Sequence, residues 1–458
     1  MRYFRLLSLL AVPLLLAGCE TMDSLVPSMP DLGMSDLLGS SAPAMEAART
    51  TGLAVSDEPY AAQTGATILS QGGSAADAVS AMFFTLTATY PVAAGLGGGG
   101  ICLVRDHQGH TREFDFLPHA ANGGGAQAVP GAVAGFYEIQ KAAGVLPWQR
   151  DVAPGEAFAA TGFPISHVLA QRLDGAQNIV RLDPALAAEF LGSSSQIKTE
   201  GTVVSNPDLS VTLGLIRQNG ADGFYTGAVA ASLAGASAAQ GGTLSLPELA
   251  GYRSTQVPAR LLTLGSLSAA IPGPSTGAGA FSDRVLTGVR GNDLATATVG
   301  AIRTALAGFN IQSVPPDLGA TGFSALDANG GAAACAVTLN GPFGSGHSAA
   351  QTGVILAAAP SSPAGISSAF LTPVIATEPG GQVALSAAGA GGPNGTGAVI
   401  YALMRLATGQ SLMRPGDLRS TGLAPLATVN AIACNGLCVA LPDPGGNGLG
   451  SSVGDPPQ

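Results

Sequence analysis

Apolar and polar positions follow regular periods in this chain, and glycine or proline interrupts them. Residues 60–71 have a helical pattern that ends at two glycines. Ser74 follows, with Asp77 three residues later as in a capping box, and the segment through Thr89 is apolar on nearly every side. Because a helix without a polar face is expected to be buried, the pattern predicts two consecutive helices, the second in the core.

Glycine-rich stretches mark the predicted turns and strands. Residues 95–100 lead into a predicted strand at 101–105, an order of helix, loop and strand that differs from a nucleotide-binding motif, so a close-packed turn is expected. Residues 319–346 predict a strand, a turn rich in Asp, Asn and Gly, and a second strand. An apolar helix is predicted at 397–406.

Composition excludes several classes of function. Of the 458 residues 46% are hydrophobic, which is enough for a large core, whereas the net charge of −10 argues against nucleic acid as a partner. His107 and His110 flank a glycine in a predicted hairpin turn, so a solvated loop is expected rather than a metal site. Since no metal, nucleotide or haem signature is present in the sequence, no cofactor is expected.

The first residues have the pattern of an export signal. Arg2 and Arg5 precede an apolar run at 6–16, which is too short to span a bilayer, and small residues then lead to Cys19. This predicts a lipoprotein signal peptide at 1–18, lipidation of Cys19, and a flexible tether within 19–50. The protein is therefore expected in the bacterial cell envelope, lipid-anchored and facing the periplasm.

The remaining cysteines leave two interpretations open. Cys434 and Cys438 are close in sequence and lie in a chain predicted to enter an oxidising compartment. They form either a disulfide or two separate buried thiols.

An ordered set of motifs resembles one family. In 319–346 the matching positions are Ser324, Asp327, Gly330, Thr338, Leu339, Asn340, Phe343, Gly344 and Gly346. Upstream matches include 72–78, 94–100, 129–131, 162–166, 206–209 and 220–227. The chain resembles γ-glutamyltranspeptidases, also called glutathione hydrolases. The resemblance implies an α+β fold, the αββα four-layer sandwich of N-terminal-nucleophile hydrolases, with a large-subunit-like part at 51–319 and a small-subunit-like part at 320–458.

The resemblance also implies which residues would carry the chemistry. In the family, the first Thr of the small subunit becomes a new N-terminus by self-cleavage and acts as the nucleophile; here this position is Ala320. The Arg that binds the substrate carboxylate falls on Leu117, and the Asp that binds the substrate amine falls on Ser362. The serine pair falls on 369–370 without a gap, or on 367–368 with a small gap. The retained substrate-binding positions are Thr338, Asn340, Gly391 and Gly392.

Two classes of function follow. The first is a catalytically degenerate envelope lipoprotein that acts as a scaffold or binds a ligand, such as a γ-glutamyl compound or another small amide. The second is a self-processing amidohydrolase that uses Thr321 as nucleophile on a different amide substrate. Adjacent residues of a strand point to opposite faces, so Thr321 is expected to face away from the pocket unless a bulge intervenes.

Overall fold

Two stacked sheets with helices on both outer faces form the architecture of this chain. The computed structural model describes residues 45–48, 52–419, 428–445 and 448–453. The predicted signal peptide and Cys19 lie outside these residues.

The strands are short and are spread over the whole described chain. In chain order they are β1 (Met45–Ala48), β2 (Leu53–Ser56), β3 (Gly99–Arg105), β4 (Thr111–Phe116), β5 (His119–Ala120), β6 (Ala128–Val129), β7 (Phe163–Pro164), β8 (Val203–Val204), β9 (Thr255–Pro258), β10 (Arg260–Leu264), β11 (Leu267–Ile271), β12 (Ala320–Leu326), β13 (Ala332–Thr338), β14 (Ser348–Ala349), β15 (Val354–Ile355), β16 (Thr372–Thr377), β17 (Val383–Ala390), β18 (Thr428–Asn435), β19 (Leu437–Leu441) and β20 (Leu449–Ser452).

The helices lie mostly in the first three hundred residues. They are α1 (Pro59–Ser70), α2 (Ala75–Thr89), α3 (Ala132–Ala143), α4 (Trp148–Thr161), α5 (His167–Gly175), α6 (Gln177–Leu182), α7 (Pro184–Phe190), α8 (Pro207–Asn219), α9 (Asp222–Tyr225), α10 (Gly227–Ala239), α11 (Leu246–Gly251), α12 (Gly277–Gly288), α13 (Leu294–Gly308) and α14 (Pro393–Ala407), with 3₁₀ helices at Pro363–Phe370 and Pro415–Leu418. No helix in the described ranges has both the length and the apolar character needed to cross a membrane.

Each of the two large sheets has seven strands. The first sheet has the order β20-β2-β12-β13-β3-β4-β9, and the second has the order β1-β19-β18-β17-β16-β11-β10. Neighbouring strands in both sheets are antiparallel. Helices α1 to α4 pack beside the first sheet, and α12 to α14 pack beside the second. This is the four-layer α+β sandwich that the sequence predicts.

The two predicted parts of the chain share both sheets. Strands β12 and β13 belong to 320–458 but lie in the middle of the first sheet, between β2 and β3. Conversely, β10 and β11 belong to 51–319 and complete the second sheet. Neither part therefore contains a whole sheet, and the apolar layer between the sheets includes side chains of both, such as Leu103 and Ile432.

The predicted capping box at the start of α2 is present. The Ser74 hydroxyl accepts a hydrogen bond from the Asp77 amide at 3.2 Å, and the Asp77 carboxylate accepts one from the Ser74 amide at 2.8 Å. All residues of α2 are buried, as its unbroken apolar pattern predicts. The cap thus positions a core helix against β12 and β13.

A buried carboxylate forms the turn between β12 and β13. Asp327 accepts hydrogen bonds from the amides of Asn329 and Gly331, each at 2.9 Å. Its second oxygen accepts one from the Ala75 amide at the start of α2, at 2.9 Å, and lies 2.9 Å from His107 Nε2. His107 is therefore anchored to this turn, although the sequence predicts only a solvated loop.

The structure differs from the predicted tether at one point. Residues Met45–Ala48, inside the tether predicted over 19–50, pair with Leu437–Ala440 as the edge strand of the second sheet. The physical reason is that an edge strand offers unpaired backbone N–H and C=O groups, which pair with a passing segment whatever its hydrophobic pattern. Residues 19–44 lie outside the described residues.

Two disulfides join neighbouring strands. Cys434 and Cys438 stand opposite each other in β18 and β19 and are bonded, which resolves the open choice between a disulfide and two thiols. Cys102 and Cys335 stand opposite each other in β3 and β13 and form a second disulfide that the sequence does not predict. Their pairing depends on a strand register between segments 233 residues apart.

Candidate active site

The side chain of Ala320 lies in a small apolar cluster at one end of the sandwich. Ala320 is the first residue of β12 and is 1% exposed. It clusters with Ile101, Ala278, Ala336, Leu371 and Ala390, and Leu117 packs against this cluster. The two positions that would carry the family's nucleophile and its carboxylate-binding Arg therefore both have apolar side chains here.

The peptide bond before Ala320 is held from both sides. The Gly319 carbonyl accepts hydrogen bonds from the Leu339 amide at 2.9 Å and from the Thr338 hydroxyl at 3.1 Å. Gly319 has φ +57°, and a Cβ there would clash with the backbone of Gly341, so glycine is required. Two donors thus polarise the carbonyl that a hydroxyl at position 320 would attack.

Thr321 points to the opposite face of β12, as strand alternation predicts. Its side chain is fully buried, and its hydroxyl donates to the Asp57 carboxylate at 2.6 Å. Asn430 from the second sheet donates to the other Asp57 oxygen at 2.7 Å. Burial raises the pKa of the Asp57 carboxyl, and the hydrogen bonds from Thr321 and Asn430 oppose that rise.

Thr338 and Asn340 make their hydrogen bonds within the protein. The Thr338 hydroxyl lies 2.8 Å from the Ser367 hydroxyl and accepts a bond from the Asn340 amide at 2.9 Å. The Asn340 side chain donates to the Ala358 carbonyl at 3.0 Å and accepts from the Ser368 hydroxyl at 3.2 Å. Both residues are at most 1% exposed. Their role in substrate binding remains a prediction.

The serine pair that reaches this site is Ser367 and Ser368. A gapless match to the family places the pair at 369–370, but the hydrogen bonds to Thr338 and Asn340 come from the two residues before. Ser362, the position of the family's amine-binding Asp, caps the 3₁₀ helix Pro363–Phe370 through the Gly365 amide at 3.1 Å. It therefore holds a local turn.

Gly391 and Gly392 form the loop between β17 and α14. Their φ angles are +74° and +115°, conformations that glycine adopts without strain. Within the described ranges, neither amide donates to a backbone carbonyl in a turn or loop. Gly392 is the N-cap residue of α14, so these N–H groups lie at the positive end of a helix dipole and are suited to an oxyanion or a carbonyl oxygen.

A cavity of about 300 Å³ lies beside Ala320, and its main polar group is one the sequence analysis missed. Arg172 on α5 donates from Nε to Asp317 at 2.9 Å and from Nη2 to the other Asp317 oxygen. Its Nη1 donates to the Tyr90 hydroxyl at 3.2 Å and to the Ala320 carbonyl at 3.3 Å. Gly391 also lines this cavity. Nothing in the local pattern of α5 distinguishes this buried arginine from an exposed one.

The described residues contain no cluster of three His, Cys, Asp or Glu side chains that could hold a metal ion. The residues that line the cavity include Arg172, Asp57, Tyr90 and Gly391. Burial raises the pKa of the Tyr90 hydroxyl above its usual range, so this group remains protonated and can accept from Arg172 while donating elsewhere.

Comparison with known proteins identifies a family for this chain. The family model described as gamma-glutamyltranspeptidase matches residues 61–306. Glutathione hydrolase 2 of Arabidopsis thaliana is 30% identical over 243 residues, which are 49% of this chain and 42% of that protein. The glutathione hydrolase proenzyme of Pseudomonas aeruginosa is 30% identical over 277 residues, 56% of this chain and 48% of that protein.

Solved structures share the fold. Cephalosporin acylase from Bacillus halodurans superposes with a TM-score of 0.71 at 17% identity, covering 93% of this chain and 99% of that chain. The γ-glutamyltranspeptidase of Helicobacter pylori gives a TM-score of 0.51 at 22% identity, covering 60% and 84% of the two chains. The match to the two curated relatives spans less than half of their length. Since the family model matches more than half of the residues, the chain belongs to the γ-glutamyltranspeptidase family.

Proposed function

We propose that this protein is a non-hydrolytic, lipid-anchored member of its family, which binds a ligand without cleaving it. The observation that carries the proposal is the side chain at position 320. A buried methyl group, packed in a cluster that Leu117 also contacts, occupies the place where the family's chemistry uses a hydroxyl.

Two separate losses lower the expected activity. Removing a catalytic nucleophile alone typically lowers turnover by about a million-fold. Charge-assisted hydrogen bonds contribute roughly 1.5–3 kcal/mol each, so losing the substrate contacts at Leu117 and Ser362 would weaken γ-glutamyl binding by about two to four powers of ten. Both losses reduce activity, and neither compensates for the other.

The ligand we propose is a small amide, either a γ-glutamyl compound bound more weakly than a site with those charged contacts would bind it, or another small amide. The cavity beside Ala320, at about 300 Å³, falls at the lower end of the size range for small-molecule sites. The Gly391 amide at its wall suits the carbonyl oxygen of such an amide.

The test combines a reducing denaturing gel, intact mass and release of a chromogenic amine from a γ-glutamyl anilide. We expect the wild type to remain one chain and to release no amine. We expect Ala320→Thr to cleave itself before residue 320, because the Gly319 carbonyl already has two donors, but to leave the anilide intact because Leu117 remains. Ala320→Val, which has the shape of Thr without the hydroxyl, is the matched control. Wild-type turnover would overturn the proposal.

A second candidate function is an amidohydrolase with Thr321 as nucleophile. The observation that favours it is the 2.6 Å hydrogen bond from Thr321 to Asp57, which pairs a hydroxyl with a buried carboxylate that could act as base. Its burial, on the face of β12 away from Ala320, counts against it. A new N-terminus at Thr321, together with amide hydrolysis that Thr321→Ala abolishes, would select this function.

The proposed location is the bacterial envelope, with Cys19 lipidated and the folded part facing the periplasm. The support is the apolar run at 6–16 followed by small residues and Cys19. We expect Cys19→Ser to move the protein from the membrane pellet to the soluble fraction, whereas the neighbouring Thr21→Ser does not. A Cys19→Ser variant that stays in the pellet, beside a wild type without lipid mass, would refute the anchor.

A further inference from the structure

A second cavity, of about 830 Å³, opens at the end of the sandwich opposite the candidate active site. Ala320 pairs with Thr338, the last residue of β13. Arg105, which lines the second cavity, pairs with Ala332, the first residue of β13. The two cavities are therefore separated by the length of the central strands, and a ligand in one does not contact the other.

The floor of this far-end cavity is apolar. Ala270 and Ile375 face each other across β11 and β16, are each 1% exposed, and belong to the apolar layer between the sheets. The wall is formed by β9 and β10, where the chain passes from one sheet to the other through Ala259. Leu261 in that wall is 61% exposed. The apolar surface of the layer between the sheets is therefore continuous with exposed apolar surface at Leu261.

One cation of the cavity is held by neutral groups. Arg105 donates from Nη2 to the Gly381 carbonyl at 2.8 Å and from Nη1 to the Gly109 carbonyl. These carbonyls belong to two hairpin turns, one from each sheet, so the guanidinium is fixed between them. A carbonyl carries no formal charge, so these contacts leave the positive charge of the guanidinium unneutralised. The two hydrogen bonds also use only two of its five N–H groups.

The other charges near the cavity are largely matched. Arg112 and His110 both lie beside the Asp106 carboxylate, at 3.2 and 3.4 Å. Glu378, in the same turn as Gly381, is the carboxylate among the lining residues. Glu378 also takes part in an interaction of its own, so Arg105 is the group best placed to attract an anion.

We propose that this cavity binds a small amphipathic carboxylate, with its hydrocarbon part on Ala270 and Ile375 and its head group toward Arg105. The volume lies within the range of small-molecule sites, which are mostly apolar with a few fixed polar groups. A carboxylate is a head group that a guanidinium binds through strong, charge-assisted hydrogen bonds. This site is independent of the proposed function at Ala320.

Isothermal titration of the full chain with decanoate tests the proposal, and decyltrimethylammonium, with the same chain length and the opposite charge, is the matched control. We expect saturable binding of one decanoate per chain, at least about tenfold tighter than the ammonium compound, which corresponds to one charge-assisted hydrogen bond. Absence of saturable decanoate binding, or equal affinity for both compounds, would overturn the proposal.

Variants locate the binding. Ser268 lines the cavity, so we expect the larger ring of Ser268→Phe to fill part of it and to lower decanoate affinity about tenfold or more. Arg105→Gln should weaken decanoate binding, whereas the exposed Arg290→Gln should leave it unchanged. Thermal melting checks that each variant is folded. If Ser268→Phe is folded and binds decanoate as the wild type does, this cavity is not the site.

Discussion

At the scale of single residues, the apolar side chains at positions 320 and 117 form one consistent unit. Ala320 and Leu371 share a buried cluster against which Leu117 packs. A guanidinium left unpaired in such a cluster would destabilise the fold, because a buried polar group without partners loses its hydration. We therefore expect an arginine substituted at position 117 alone to destabilise this cluster.

Asp151 gives a prediction at the same scale. Its carboxyl lies on α4, is fully buried, and has no hydrogen-bond partner among the described residues. Burial, with a smaller contribution from Asp77, raises its pKa from 3.8 to about 9. Between those two values the folded state holds a proton that the unfolded state releases. Stability therefore falls as pH rises through this range, by up to about 1.4 kcal/mol per pH unit.

We expect Asp151→Asn, which cannot titrate, to have a shallower loss of stability between pH 5 and about pH 8.5 than the wild type. Urea unfolding at several pH values measures the difference in slope. The exposed Asp174→Asn is the control and should keep the wild-type slope. Equal slopes for Asp151→Asn and wild type would show that Asp151 is not buried in its neutral form. Glu58, whose pKa burial raises to about 8, contributes with the same sign and remains in both proteins.

At the scale of elements, one turn joins three parts of the first sheet and its helices. Asp327 is 2% exposed and holds the β12–β13 turn, the first amide of α2 at Ala75, and His107 in the β3–β4 turn. A strand pair, a core helix and a neighbouring hairpin thus depend on one carboxylate. Elements that the sequence predicts one by one are fixed relative to each other at this residue.

We expect Asp327→Ala to lower the free energy of unfolding by about 3 kcal/mol or more, because several amides lose a charged acceptor while remaining buried. Chemical denaturation measures the change. Asn329→Ala in the same turn is the control, since Asn329 is exposed and should change stability by less than about 0.5 kcal/mol. Similar values for both variants would contradict the role assigned to Asp327.

At the scale of the whole molecule, both parts of the chain contribute to both sheets, and the Cys102–Cys335 disulfide joins them. It closes a loop of 233 residues, whereas Cys434–Cys438 closes one of only 4. On the chain-entropy account, a longer loop restricts the unfolded state more. We expect the double variant Cys102→Ala/Cys335→Ala to lose about 5 kcal/mol, against about 2 kcal/mol for Cys434→Ala/Cys438→Ala. Denaturation of both variants without reductant measures this, and a larger loss in the second would contradict it.

The sequence alone predicts features that depend only on residues close together along the chain. The capping box of Ser74 and Asp77 and the turn at Asp327 need only neighbours along the chain, and both are present. Arg172 and the Cys102–Cys335 bond were missed because they depend on which distant segments meet. The place of the serine pair was left open for a related reason, since a two-residue gap changes which hydroxyls reach Thr338 and Asn340.

The Cys102–Cys335 disulfide also determines what a proteolytic cut does to the molecule. A single cut of the backbone anywhere between these two residues leaves the two pieces covalently attached. A protease can therefore cut an exposed segment in that interval, such as the chain before Ala320, and the two fragments stay linked by the disulfide. Because each half supplies strands to both sheets, a nicked molecule also keeps every strand that it needs to remain folded.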